Sequence, residues 1–158
     1  MMLTFLSRRL FARLRNRDGA TILEAAFITP LLLLLTFSIV EFASILYCHL
    51  ALQNGAAQAT RFAVTGNVTG TMSRVDSIKS AFRAATPTLT VPDSGFTFSH
   101  LAVKGTAFVP GTGGPDEVER LTVSYKWQLF TPLLRPFFTN GEIRLQAEST
   151  MRNESDPR

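Results

Sequence analysis

A long apolar run near the amino terminus constrains this chain more than any other feature. No charged residue interrupts residues 25–40, and beyond Glu41 the run continues to Leu52. Its 15 Leu, Ile, Phe and Val residues favour membrane insertion by roughly 4.5–9 kcal/mol, whereas one charged side chain at mid-membrane costs roughly 2.5–3.5 kcal/mol. The sequence therefore predicts a helix that spans a membrane once.

The charge distribution predicts the orientation of that helix. Five arginines precede the apolar run, and the positive-inside rule then places residues 1–19 in the cytoplasm and the carboxyl-terminal part outside. They are Arg8, Arg9, Arg13, Arg15 and Arg17. A cleavable secretory signal is the alternative, but its A-x-A cleavage pattern occurs only at Ala57-Gln58-Ala59, far beyond the start of the apolar run.

The helical pattern extends well past the length that a membrane requires. Residues 20–65 can form one helix, which at 1.5 Å per residue is about 69 Å long, whereas the hydrocarbon core is about 30 Å thick. The outer half must therefore project and pack on something else. Pro30 removes a backbone hydrogen bond, so we expect a kink or local unwinding near residues 26–30.

Small residues in the outer half of the helix have two interpretations. They permit close contact with a neighbouring helix, or they simply reflect the high helix propensity of alanine. The residues concerned are Ala56, Ala57, Ala59 and Ala63.

Residues 66–158 predict a small extracytoplasmic α+β domain. A short amphipathic helix begins at a capping Ser73 and is stopped by Pro87. Apolar residues then alternate as in half-buried strands of an antiparallel sheet. They are Leu121, Val123, Tyr125, Trp127 and Leu129 in one run, and Ile143, Leu145, Ala147 and Met151 in another. The earlier stretch "FTFSHLAVKG" alternates in part and predicts a further strand.

The loop "TPLLRPFFTNG" carries four large apolar residues between two predicted strands. Leu133, Leu134, Phe137 and Phe138 either cover the small sheet or form an exposed docking patch. We favour the first interpretation, because so small a sheet needs covering.

No residue pattern in the chain predicts catalysis or a cofactor. The two histidines, His49 and His100, belong to no metal or nucleophile motif, and Cys48 is the only cysteine. We expect a protein that is not an enzyme, with no metal, no cofactor and no small-molecule substrate. Residues 20–158 carry equal numbers of basic and acidic residues, 11 of each, so we also expect no nucleic-acid binding.

The stretch "RLRNRDGATILEAAFITPLLLLLTF" combines a basic leader, Gly19, four small or apolar residues and Glu24. This pattern resembles the type IV pilin-like class, which implies that a prepilin peptidase cuts between Gly19 and Ala20. The wider pattern, with Pro30, Glu41 and an alanine-rich extension, is similar to the TadE-like family. Proteins of that family are minor pilins or pseudopilins of the tight-adherence (Flp) pilus, which bacteria use for surface attachment.

The resemblance implies a leader at residues 1–19, a transmembrane and projecting helix at residues 20–65, and a periplasmic domain at residues 66–158. It places the protein in the bacterial inner membrane, with other pilin-like subunits and the pilus assembly machinery as partners. Whether the chain enters the fibre or only primes its assembly stays open.

The resemblance also suggests a role for the acidic residues of the helix. After cleavage Glu24 can neutralise the new amine of Ala20 in its own or an adjacent subunit, or it can remain solvated at the interface. We expect Glu24, Pro30 and Glu41 to take part in subunit packing. The alternative function is an unprocessed, single-pass scaffold or binding module in the periplasm.

Overall fold

The computed structural model describes residues 17–66 and 68–155. The chain divides into two compact units, Met1–Val40 and Glu41–Arg158. Residues 1–16 of the predicted leader lie outside the described part of the chain.

Helix α1, Arg17–Val64, is the single long helix that the sequence predicts. Its residues 19–40 are exposed, except for a half-buried Ser38. The hydroxyls of Thr36 and Ser38 donate to backbone carbonyls one turn earlier, at 2.8 and 2.7 Å, so these polar groups are compatible with an apolar surrounding. The helix continues through Pro30 without interruption, so the predicted local unwinding is wrong, while the alternative, a kink, stays a prediction.

From Glu41 onwards one side of α1 is buried in the core of the second unit. The buried positions recur at intervals of three, four or seven residues, which is the spacing of one helix face. They include Glu41, Cys48, Leu52, Ala56, Ala59 and Ala63. Three of the four alanines that could have contacted another subunit, Ala56, Ala59 and Ala63, therefore pack within their own chain, whereas Ala57 is half-buried.

Helix α2, Arg74–Ala85, packs on α1 and begins where the sequence predicts. The Ser73 hydroxyl accepts a hydrogen bond from the Asp76 backbone N–H at 3.1 Å, which caps the first turn. Ile78 and Phe82 are fully buried. At Gly55 of α1 an added Cβ would lie 2.7 Å from Phe82 Cε2 and 2.5 Å from Thr86 Cγ2, so only glycine permits this close approach.

Four antiparallel strands form the sheet, in the spatial order β2-β1-β3-β4. The strands are β1 Phe96–Leu101, β2 Val109–Pro110, β3 Val118–Gln128 and β4 Glu142–Arg152. The sequence predicts the other three strands but not β2, because two residues in a Gly/Pro-rich loop give no alternating pattern. The fold class is α+β, as predicted.

One face of the sheet joins α1 and α2 in a common core. Val123 stands opposite Phe96 on one side and Ala147 on the other, which brings three apolar residues to one level of this face. Phe96 meets Phe82 of α2 edge to face at 5.1 Å. The two helices thus cover the sheet, and the loop after β3 is not needed for that purpose.

The segment between β3 and β4, residues 129–141, is a compact loop closed by polar contacts. The backbone N–H of Leu129 donates to the Gly141 carbonyl at 3.0 Å, and Arg135 Nε donates to the Leu129 carbonyl at 2.9 Å. Leu133 and Phe137 are exposed. Leu134 and Phe138 are half-buried, so the favoured prediction that this loop covers the sheet is wrong for Leu133 and Phe137.

Candidate functional site

Glu41 is the first buried residue of α1, and its carboxylate is held by the segment that ends β3. The side chain is only 2% exposed. Its Oε1 accepts from Trp127 Nε1 at 3.2 Å and from the Phe130 backbone N–H at 3.1 Å. Its Oε2 accepts from the backbone N–H and the hydroxyl of Thr131, both at 2.9 Å. We call these four donors the Glu41 cradle.

The cradle contains no positive charge. A buried carboxylate is tolerated only when hydrogen bonds replace the water that it loses, and bonds to an ionised acceptor are stronger than bonds between neutral groups. Two consecutive backbone N–H groups, Phe130 and Thr131, provide a concave site of the kind that binds anions. The cradle therefore fixes the start of the loop to one position on α1.

Three exposed apolar side chains extend from this fixed loop. Phe130 is 67% exposed, Leu133 is 59% exposed and Phe137 is 79% exposed. The Phe130 ring packs edge to face on the Trp127 indole, with the ring centroids 5.1 Å apart. Both residues of this aromatic pair also donate a hydrogen bond to Glu41, so the pair adjoins the cradle. We call Phe130, Leu133 and Phe137 the apolar rim.

The other side of the covered half of α1 is apolar and exposed. Phe42, Leu46 and Leu50 recur at intervals of four residues, and each is more than half exposed. We call these three residues the outer stripe. Since α2 and the sheet cover only the opposite side of the helix, the outer stripe is open to a partner.

A second polar cluster joins the carboxyl-terminal end of α1 to the rest of the domain. Glu119 is 1% exposed and lies 3.1 Å from Arg74 Nη2, while the Gly113 backbone N–H donates to the same carboxylate oxygen at 3.2 Å. Arg74 also donates to the Ala63 carbonyl, and Asn153 Nδ2 donates to the Gly113 carbonyl. The cluster links α1, α2, β3 and the end of β4.

Burial raises the pKa of Glu119, although Arg74 and the Gly113 N–H act in the opposite direction. An open cavity of about 300 Å³ lies beside Arg74 and Asn153. Among residues 17–66 and 68–155, no group of three or more His, Cys, Asp or Glu side chains is placed to hold a metal ion. The contacts of this cluster are those of a structural link between elements.

Residues 19–61, which form most of α1, match the model of a family described as TadE-like protein. This part of α1 is therefore similar to TadE-like proteins. The match covers about a quarter of the chain and confirms the resemblance inferred from the sequence. No curated protein and no solved structure matches the chain. Among the described residues a single helix, Gly19–Val64, is long and apolar enough to cross a membrane, and it contains the whole matched region, which is consistent with single-pass membrane anchoring.

The predicted site residues occupy different parts of α1. Gly19, Ala20 and Glu24 are exposed in the first unit, together with Pro30. Glu41 belongs to the second unit, where its own chain supplies all four hydrogen bonds of the carboxylate. The proposed roles of Glu24, Pro30 and Glu41 in subunit packing, and of Gly19 and Ala20 in cleavage, stay predictions.

Sequence reasoning missed the Trp127, Phe130 and Thr131 donors to Glu41. A carboxylate in an apolar helix signals that donors are needed, but the sequence does not indicate where along the chain they lie. Trp127 was recognised only as one of the alternating apolar residues of a strand. Its separation of 86 residues from Glu41 leaves no local pattern that could link the two.

Proposed function

We propose that this protein is a minor pilin or pseudopilin that takes part in assembly of a tight-adherence pilus from the bacterial inner membrane. The observation that carries the proposal is the coincidence of the TadE-like match with an exposed, apolar helix. The amino terminus then lies in the cytoplasm and the α+β domain in the periplasm. The protein acts by contact with other subunits, without catalysis, a cofactor or nucleic acid.

The outer stripe is the surface that we propose for lateral packing. Phe42, Leu46 and Leu50 offer a continuous apolar edge, and the buried side of the same helix segment is already occupied by its own domain. A helix from another pilin-like subunit would gain van der Waals contact along this edge. A crosslinking amino acid at Leu46 should therefore capture pilin-like subunits, whereas one at the exposed Lys126 of β3 should not.

Gly19 supports the proposed processing by prepilin peptidase. Glycine inside a helix costs about 1 kcal/mol relative to alanine, and a Cβ at Gly19 would meet nothing within 4 Å. The described fold therefore gives no reason for a glycine at this position. A peptidase that must approach the backbone closely gives one.

Amino-terminal sequencing of the membrane-extracted protein tests processing directly. A chain that begins at Ala20 supports the pilin proposal, and Gly19→Phe should leave the leader attached. An intact Met1 in cells with an active pilus system would instead favour the alternative, a permanently anchored periplasmic scaffold or binding module.

Glu24 is proposed to act after cleavage. It lies one helical turn from Ala20, within reach of the new amine, and its side chain is exposed. Glu24→Ala should still be cut after Gly19 but should crosslink less to other subunits and yield fewer pili, with Glu24→Asp intermediate. Normal pilus numbers in the Glu24→Ala strain would refute the pairing of Glu24 with the amine.

A further inference from the structure

We infer that the apolar rim is a membrane-contact surface, and that its partner is the phospholipid bilayer on the side of the folded domain. Phe130, Leu133 and Phe137 insert there between the headgroups and the first acyl carbons. The inference rests on the membrane-anchored helix and does not depend on processing or on pilus assembly.

The apolar rim places more large exposed apolar side chains close together in the chain than is usual on a protein surface. Single exposed apolar side chains are common in soluble proteins, but three large ones within an eight-residue segment form a patch. The segment is also held in place: Arg135 Nε donates to the Leu129 carbonyl, and Glu41 binds Phe130 and Thr131. Fixed exposed apolar groups need an apolar partner.

The length of the exposed helix segment identifies that partner. Residues 20–40 are 21 residues and rise about 31 Å, which matches the hydrocarbon thickness of about 30 Å. Apart from a half-buried Ser38, their side chains are exposed, as lipid contact requires. Glu41 is the next residue and the first one covered by the domain. The hydrocarbon boundary therefore falls at Glu41, and not beyond Leu52.

The cradle connects the rim to this boundary. Glu41 is hydrogen-bonded directly to the residue that begins the rim, Phe130, so the rim starts at the level of Glu41 on the helix. Trp127, whose indole N–H donates to Glu41, then has the position of an interfacial tryptophan, with an apolar ring and one satisfied polar group. Arg135, an exposed residue of the same loop, brings a positive charge that can interact with lipid phosphates.

Trp127 is the only tryptophan of the chain, so its fluorescence reports on one position. The full-length protein should be reconstituted in phosphatidylcholine–phosphatidylglycerol vesicles at a low protein-to-lipid ratio. We expect lipids brominated near the headgroup to quench Trp127 more strongly than lipids brominated near the end of the acyl chain. Aqueous iodide should quench it only weakly.

Variants of the apolar rim test whether its side chains themselves contact lipid, or whether Trp127 is only close to the membrane. Leu133→Ser combined with Phe137→Ser should reduce quenching by the shallow bromines and increase quenching by iodide. Both side chains are exposed, so the fold should be preserved, which far-ultraviolet circular dichroism can verify. Phe130 is left unchanged because its ring contacts the reporter indole.

Val68→Ser is the matched control. Val68 is 52% exposed and follows the far end of α1, which terminates at Val64, about 35 Å along the helix from Glu41. This substitution removes a similar exposed apolar group and should leave both kinds of quenching unchanged.

The inference is wrong if Trp127 is insensitive to both brominated lipids and fully accessible to iodide. It is also wrong if Trp127 becomes shielded only as the protein density in the membrane rises, because the rim would then contact a second subunit. Amino-terminal sequencing of the same sample keeps the two proposals apart. Shallow lipid quenching of a chain that retains Met1 would support membrane contact while contradicting pilin processing.

Discussion

Glu41 accepts four hydrogen bonds, and all of them come from neutral groups of its own chain. A charged partner in another subunit is therefore not required to make this burial tolerable. The side chain that looked costly in a membrane helix instead organises the loop after β3. Another subunit would therefore contact the residues that surround the Glu41 carboxylate, and not the carboxylate itself.

We predict that Glu41→Leu destabilises the second unit, although leucine is the better residue for membrane insertion. The substitution leaves four donors without their acceptor, and each such buried donor costs about 1–3 kcal/mol. Because water can enter from the exposed loop and bind some of these donors, we expect the free energy of unfolding to fall by about 3 kcal/mol in total. Thermal unfolding in detergent micelles and amide hydrogen exchange at Phe130 and Thr131 would measure it.

Thr131→Val provides the control for this experiment, because it removes only the hydroxyl donor and keeps the backbone N–H. Its cost should be about 1 kcal/mol. If Glu41→Leu were as stable as the parent chain, the hydrogen bonds of the cradle would not contribute to stability.

Gly55 and Gly19 lie in the same helix but in opposite steric surroundings. At Gly55 a new Cβ meets Thr86 and Phe82, whereas at Gly19 it meets nothing. Gly55→Ala should therefore lose about 1–2 kcal/mol of stability, since overpacking outweighs the gain in helix propensity. Gly19→Ala should not lower the unfolding temperature of the domain. Equal effects of the two substitutions would contradict this steric explanation.

At the scale of elements, α1 serves two environments with one continuous backbone. Up to Val40 nearly every side chain is exposed. From Glu41 onwards one side of the helix is buried, and the other side carries the exposed outer stripe. The sequence over the whole helix is apolar enough to obscure this change. The division between the two compact units falls at the same point.

The polar cluster around Glu119 joins the ends of four elements, and it should make stability depend on pH. Because burial raises the pKa of Glu119 above its ordinary 4.5, the folded state takes up a proton at a higher pH than the unfolded chain. This contribution stabilises the fold as pH falls through the raised pKa, and it is lost as pH rises through it.

Glu119→Gln removes that titration. We expect the unfolding temperature of the parent chain to rise relative to the Glu119→Gln variant as pH falls from neutral towards 4.5. Asp93, whose pKa is lowered mainly by its bond to Arg83, is common to both chains, so its effect cancels. A constant difference between the two chains would show that Glu119 titrates normally in the fold.

At the scale of the whole molecule, the arginines before α1 and the α+β domain after it predict a single-pass protein. A reporter enzyme that works only outside the cytoplasm, fused after Arg158, should be active. A reporter that requires the cytoplasm should be inactive at the same position. The opposite result would reverse the orientation and remove the periplasmic partners.

The sequence alone determined the features that depend on near neighbours in the chain. Apolar length predicted one long helix, Ser73 predicted the start of α2, and alternation predicted β1, β3 and β4. The order Gly19, Glu24, Pro30 and Glu41 was sufficient to suggest the TadE-like family, whose model matches this helix.

Only the tertiary structure decided where the helix leaves its exposed surroundings and what binds Glu41. Both depend on contacts between residues more than 80 positions apart, and no periodicity connects such residues. The same limit explains the wrong prediction for Leu133 and Phe137. Leu133 and Phe137 are exposed because α1 and α2 cover the sheet, and a local apolar pattern carries no information about which element packs on it.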